Sequence, residues 1–123
     1  MTAKECFEHA LSFVPETAEE NAELNKFIVP WCNVLLAETF LYENLYRKAT
    51  GAEELSSVPK VKKVEDEIPY NEKLVLMAFP YGMARWIFRG NDDLTGNFEY
   101  YQLYVNAIKE ATPIFLSEVG DVY

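Results

Sequence analysis

With 123 residues, half of them hydrophobic and a quarter charged, the chain has the size and balance of one globular domain, which excludes a disordered tail or a fibre. Twenty acidic side chains against 11 basic ones give a formal net charge of −9, the wrong sign for gripping phosphates, so sequence-specific nucleic-acid binding is not expected. No apolar run approaches the about 20 residues of a membrane helix, so no membrane partner is expected.

The elements follow in chain order. Thr2 and Glu5 have capping-box spacing, which predicts a first helix over 2–14 with Cys6, Phe7, Ala10, Leu11 and Val14 as its buried stripe. Pro15 closes it. The acids of this third of the chain, from Glu5 to Glu23, read as a solvated helix face. A second helix is expected over 17–50, with Leu24, Phe27, Ile28, Trp31, Val34, Leu35, Leu41, Tyr42 and Leu45 at helical spacing. The period continues in phase across Pro30, which predicts a kink rather than a break. Arg47 and Lys48 suit the negative end of its dipole, and Gly51 suits the C′ position.

Between 52 and 68 the helical period disappears. The segment EELSSVPKVKKVEDEIP carries a basic cluster, Lys60, Lys62 and Lys63, and an acidic one, Glu65, Asp66 and Glu67. It predicts a long extended loop, of a kind that is often functional or mobile. A third helix follows over 71–89, with Asn71 as N-cap and Gly90 as C-cap glycine. Its stretch LVLMAFPYGMARWIFR is apolar nearly all round, the mark of the central element of a bundle. Pro80 predicts a kink within it. Ala78, Gly82, Arg85 and Arg89 share one stripe; its small residues admit another backbone, and its arginines suit acidic partners and the helix C-terminus.

Asp93 or Thr95 caps a fourth helix over 94–112, in which Phe98, Tyr101, Val105 and Ile108 share one face and Tyr104 flanks it. Pro113 ends that helix. The tail 113–123 is apolar and acidic without a helical pattern, so Ile114, Phe115, Leu116, Val119, Val122 and Tyr123 are expected to dock on this domain or on a neighbour. The fold class is therefore all-α, a single domain over 1–123. It is a small bundle of about four helices with a kinked apolar central helix, a long extended loop and an extended C-terminal tail.

Signals for chemistry are weak. Cys6 and His9 lie three apart on a helix, a spacing that can share an ion, but zinc needs further ligands and the chain has one histidine. The pair reads as a core thiol beside a boundary imidazole. Cys32 forms no CxxC with Cys6, and the charged start MTAKECFEH has no leader core, so free thiols in a reducing interior are expected. No GxSxG, HExxH, Walker A or GxGxxG pattern occurs. The paired acids Glu19/Glu20, Glu53/Glu54, Glu65–Glu67 and Asp92/Asp93 read as solvated. No catalytic residue, metal or cofactor is expected.

One pattern extends beyond these local signals. A helix ending in AETFLYENLYR is followed by a polar loop and then by EDEIPYNEKL. After these come the apolar LMAFPYGMARWIF, an acidic turn NDD and the aromatic helix FEYYQLYVNAIKEA. Over residues 24–111 this order resembles the small head–tail connector, or adaptor, proteins of tailed bacteriophages. In these a phrase of the type IP…L…A…YG.A opens the central helix.

The resemblance implies a helical bundle that self-associates into a ring on the portal protein, meets tail or stopper proteins, and extends the DNA exit channel. It implies a virion protein at the head–tail junction, made in the bacterial cytoplasm, with no catalysis, metal or cofactor. Ile68, Pro69, Tyr81, Gly82 and Ala84 match its framework positions, and Pro80 is an addition to the pattern. Exposed arms would carry the contacts, through the tail residues above and through Lys60, Lys62 and Lys63. An acidic wall suits a channel past which DNA slides. Two other readings stand beside this one: a non-phage helical interaction or regulatory module, and a small metal-dependent enzyme built on clustered carboxylates.

Overall fold

The structure, a computed structural model, describes residues 1–112. These form four α-helices: α1 (Ala3–Leu11), α2 (Ile28–Thr50), α3 (Glu72–Gly90) and α4 (Leu94–Ala111). A 3₁₀ segment, Ala22–Phe27, leads into α2. Extended pairing among the described residues is limited to one isolated bridge between Thr2 and Glu67. The fold is an all-α bundle with α3 at its centre. Leu74, Phe79, Met83 and Ile87 of α3 are fully enclosed, and α1, α2 and α4 all pack on this helix.

Local signals set most helix ends. In α1 the Glu5 N–H donates to Thr2 Oγ1 at 3.1 Å and the Thr2 N–H donates to Glu5 Oε1 at 2.9 Å, closing the capping box. The helix stops at Leu11, three residues before the expected end, where the backbone tightens to i→i−3 bonds: Ser12, Phe13 and Val14 N–H donate to the His9, Ala10 and Leu11 carbonyls at 3.1 Å each, and the Ser12 hydroxyl adds a bond to His9 O at 2.6 Å. Val14 is buried from a turn instead. α2 closes on Gly51 at φ 80°, where Gly51 N–H reaches Lys48 O at 3.4 Å and Ala52 N–H reaches Arg47 O at 2.8 Å. This is the expected Schellman end.

The expected continuous helix over 17–50 does not form. Thr17 and Glu20 do make a reciprocal capping pair, at 3.1 Å each way. Propagation fails because the buried Asn21 turns its side-chain amide onto Thr17 O at 3.0 Å, and its own oxygen receives Asn91 Nδ2 from the end of α3 at 3.0 Å. True α-helix begins only at Ile28. Pro30 is therefore the third residue of α2, where a backbone N–H has no intrahelical acceptor to lose, and the predicted kink at Pro30 is replaced by a break upstream.

Asn71 caps α3 as its position implies, accepting from Leu74 N–H at 3.0 Å. Pro80 lies inside the helix, which continues through it. Gly90 is not the left-handed residue; it stays helical, and Asp92 takes φ 58°. Asp93 N–H then reaches Phe88 O at 2.8 Å while the Asp93 carboxylate accepts from Gly96 N–H at 2.8 Å. One aspartate thus closes α3 and caps α4, and Thr95 has no capping role. The short connection makes α3 and α4 an antiparallel hairpin. A Cβ on Gly82 would stand 2.5 Å from Leu35 Cδ2 and 3.0 Å from Tyr104 Cε1, so the small stripe of α3 does admit neighbours closely.

Residues 52–68 form a strap tied along its length. Asn44 brackets Leu55, and Asn33 brackets Val61, each side-chain amide donating to the carbonyl and accepting from the N–H of its partner at 2.7–3.1 Å. Ala3 and Lys4 N–H donate to Asp66 and Val64 carbonyls at 3.1 and 2.8 Å, and Ile68 N–H donates to Met1 O at 3.0 Å. Val61 and Ile68 enter the core. The strap is fastened to α1 and α2 and is not a free arm.

Candidate functional site

Helices α2 and α4 each leave large apolar side chains open to solvent. On α4, Leu94, Phe98, Tyr101 and Val105 recur at i, i+4, i+7 and i+11 and so share one side of the helix. Leu94 is 71 % exposed, Phe98 66 % and Tyr101 44 %. The core side of α4 is carried instead by Tyr104, Ala107, Ile108 and Ala111. The predicted stripe is thus real but mostly faces outward, with only Ile108 buried. On α2 the same happens to Val34 and Leu41, which are exposed, while Cys32, Leu35, Leu36, Thr39 and Glu43 fill the core.

Between the two helices lies a cleft of about 360 Å³ bordered by Glu38, Tyr42, Tyr101 and Val105, with Tyr104 and Ile108 below. One lining side chain, Glu38, carries charge and is held by two neighbours. Arg85 of α3 is buried, and its Nη2 donates to Glu38 Oε1 at 2.6 Å while its Nε donates to Gly82 O at 3.1 Å. Tyr104 Oη donates to the same Glu38 oxygen at 3.1 Å. Burial first, and then the Glu38 charge, push the Tyr104 hydroxyl well above the usual tyrosine range, so it stays a donor. Three aromatic rings surround the guanidinium, those of Trp86 at 4.2 Å, Tyr104 at 4.7 Å and Tyr101 at 5.4 Å. Trp86 in turn packs on Trp31, at 5.5 Å, which stacks on Phe27 at 5.4 Å.

This arrangement suits recognition. An arginine covered by aromatic rings and paired to a partly exposed carboxylate holds a charged group in place beside apolar side chains. Among the described residues no group of three or more His, Cys, Asp or Glu side chains is placed to hold a metal ion. Cys6 and Cys32 are free and buried, and burial pushes both thiols up, Cys32 to about 12, which makes them poor nucleophiles. The His9 ring packs on Phe13 at 5.4 Å. No helix among the described residues is long and apolar enough to cross a membrane.

The residues singled out from sequence are scattered. Lys60, Lys62 and Lys63 are exposed on the strap, which crosses α2 at Asn33 and Asn44, on a different flank from the open face. Ile114, Phe115, Leu116, Val119, Val122 and Tyr123 lie outside the described residues. Of the framework positions, Ile68, Pro80, Gly82 and Ala84 are buried, Tyr81 is half-buried against Phe13 and Tyr100, and Pro69 is exposed. Arg85 is internal and Arg89 is exposed. The sequence reading missed Glu38 and Trp86. Their signal was the matched acid on α2 and the aromatic neighbour of Arg85, which becomes visible only when the helices are assembled. No protein-family model matches the chain, and no curated protein or solved structure matches it either.

Proposed function

We propose that this chain is a structural subunit of the head–tail connector type: a non-enzymatic helical block that self-associates into a ring on a portal protein and extends a DNA channel. The observation that carries the reading is the open apolar face of α2 and α4. Exposed Val34 and Leu41 on one helix and Leu94 and Phe98 on the next, the most exposed large apolar side chains among them, call for protein cover. The order of elements, from the AETFLYENLYR helix through YG.A to the aromatic helix, supports the same reading. An acidic, helical wall is also what a DNA passage requires, because it repels phosphate.

In this reading the face packs on protein neighbours in the ring, the Arg85–Glu38 pair holds Glu38 in place beside it, and DNA passes without sequence readout. The place of action is the head–tail junction of a virion, after synthesis in the bacterial cytoplasm. Mixing the chain with portal rings and measuring the mass of the product is the direct test. The wild type is expected to add a ring of copies to the portal, and Leu41→Asp with Phe98→Asp is expected to abolish addition while far-UV circular dichroism stays unchanged. A closed dimer indifferent to portal would replace the connector reading with a regulatory module. Tight divalent-metal binding without portal addition would replace it with an enzyme.

A further inference from the structure

The molecule holds non-helical chain by one repeated device. Asn44 and Asn33 each clasp one strap residue, Leu55 and Val61, bonding both its N–H and its carbonyl through the side-chain amide. Both clasped residues are aliphatic and pack on the core. A third asparagine borders a cavity and clasps nothing. Asn25, in the 3₁₀ segment before α2, stands beside a space of about 510 Å³ whose apolar walls include Phe7, Leu11, Ile28 and Val64. The Asn25 side chain is exposed and bonds to no other described residue. Lys4 and Glu8 border the same space one turn apart on α1, both exposed, and neither forms an ion pair with a described residue. Apolar walls with a few polar groups at the mouth are the make-up of a binding pocket.

The strap carries the complement of this pocket. Between the clasped Leu55 and Val61, residues 56–60 make no hydrogen bond with other described residues, and Val58 is 38 % exposed. Pro59 favours an extended backbone at Val58, whose N–H and carbonyl are both open. Glu54 precedes Val58 and Lys60 follows it, both exposed and without an ion-pair partner among the described residues. The bend at Ser56 and Ser57 shortens the span between these two charges. An acid, an aliphatic residue and a base thus stand in order, opposite in sign to Lys4 and Glu8 on either side of the pocket. Within one chain Val58 does not line the pocket, because the strap is clasped to α2 at Asn44 and Asn33 on either side of it.

We propose that the pocket beside Asn25 receives Val58 of a second copy of this chain. The valine enters against Phe7 and Ile28, and Asn25 clasps its N–H and carbonyl as Asn33 clasps Val61. Lys4 pairs with Glu54 of the second copy, and Glu8 with its Lys60. Pocket and bulge are different surfaces, so the contact is head-to-tail and repeats from copy to copy, the geometry from which rings close. It needs two copies and no portal protein, so it goes beyond the connector reading and is tested apart from it.

Disulfide trapping between full-length chains provides the test. Val58→Cys and Ala18→Cys, the latter on the pocket wall, are mixed in equal amounts in a glutathione redox buffer; the native thiols are buried and do not compete. Docking is expected to raise the ratio of mixed to like-with-like disulfides about ten-fold over that of Val58→Cys with Leu103→Cys, an exposed control on α4. Adding Asn25→Ala to the pocket chain is expected to lower this excess about five-fold, the loss of the clasp, with circular dichroism unchanged. Glu8→Lys in the pocket chain is expected to lower it too, and Lys60→Glu in the Val58→Cys chain to restore it. Equal ratios for pocket and control pairs overturn the proposal, and so does an excess that Asn25→Ala and Glu8→Lys leave intact. Portal addition by the same chains keeps the two readings apart. Rings on the portal without the disulfide excess overturn this contact alone, and the excess without portal addition upholds the contact and overturns the connector reading.

Discussion

Glu43 and Arg85 are the two charged side chains buried among the described residues, and the bundle holds them in opposite ways. Glu43 is enclosed by hydrogen-bond donors. Its Oε1 accepts from Asn71 N–H at 2.6 Å and Asn71 Nδ2 at 2.9 Å, and its Oε2 accepts from Arg47 Nε at 2.6 Å. Arg47 passes the connection on to Glu53 O at 3.1 Å, so one carboxylate joins α2, the N-terminus of α3 and the start of the strap. Arg85 has one carboxylate partner, Glu38, which is 39 % exposed; beyond that and a bond to Gly82 O its guanidinium is covered by rings. A charge satisfied from three directions is a fastener of the fold. A charge stacked between rings, with its partner at the surface, ties the fold to the open face instead.

Substitution separates the two designs. Glu43→Ala is expected to have the largest effect, about 3 kcal/mol in urea unfolding, because it empties a fully buried site and strands the Asn71 N–H at the head of α3. Glu43→Gln keeps the volume and an acceptor, and about half of that loss is expected. Arg85→Ala is expected to lose about 2 kcal/mol, from lost stacking and the space left beneath Trp86 and Tyr104, while Glu38 simply turns to water. Arg85→Lys keeps the charge but not the planar guanidinium among the rings, and is expected to lose about 1 kcal/mol, less than Arg85→Ala. Equal losses for Glu43→Ala and Arg85→Ala would erase the contrast.

The fastener and the face also differ in how far they could be read from sequence. Short-range signals were legible: Thr2 with Glu5, Asn71, Asp93 and Gly51 each mark a helix end through contacts within a few residues. The central place of α3 was legible too, since a helix apolar on every side has to be enclosed. What failed was the choice between two apolar sides of one helix. Phe98 and Tyr101 have the same period as Tyr104 and Ala107, and only the small residues Gly96, Ala107 and Ala111 mark the side that packs closely. Glu43 carried no signal, because its donor Asn71 is 28 residues away. The strap was read as free for the same reason, since Asn33 and Asn44 look like ordinary polar positions until Val61 and Leu55 arrive beside them.

Gly82 tests whether the close approach under the face matters as much as its charge. The alanine Cβ would meet Leu35 and Tyr104, both buried, so neither side chain moves aside freely. Better helix propensity offsets part of the strain. Gly82→Ala is expected to lower stability by about 1 kcal/mol, less than alanine at either buried charge. A stabilised variant would mean that the α2–α3–α4 contact is looser than its distances show.

The smallest effect is expected at an exposed carboxylate, which sharpens the contrast with Glu43. Asp66 Oδ2 accepts from the Lys62 and Lys63 N–H groups at 2.8 and 3.0 Å, and those bonds hold its carboxyl below the usual range. The folded pKa is lower than the unfolded value of about 3.9, so its contribution is complete above that value and is lost as pH falls through the folded pKa. Asp66→Asn lacks this dependence. The difference between wild type and variant in urea midpoint is therefore expected to be constant at neutral pH and to shrink in acid. It is also expected to be smaller at every pH than the Glu43→Ala difference, because water competes for an exposed carboxylate and not for an enclosed one. A wild-type advantage that grows on acidification would mean that the strap turn is held by something other than the ionised Asp66.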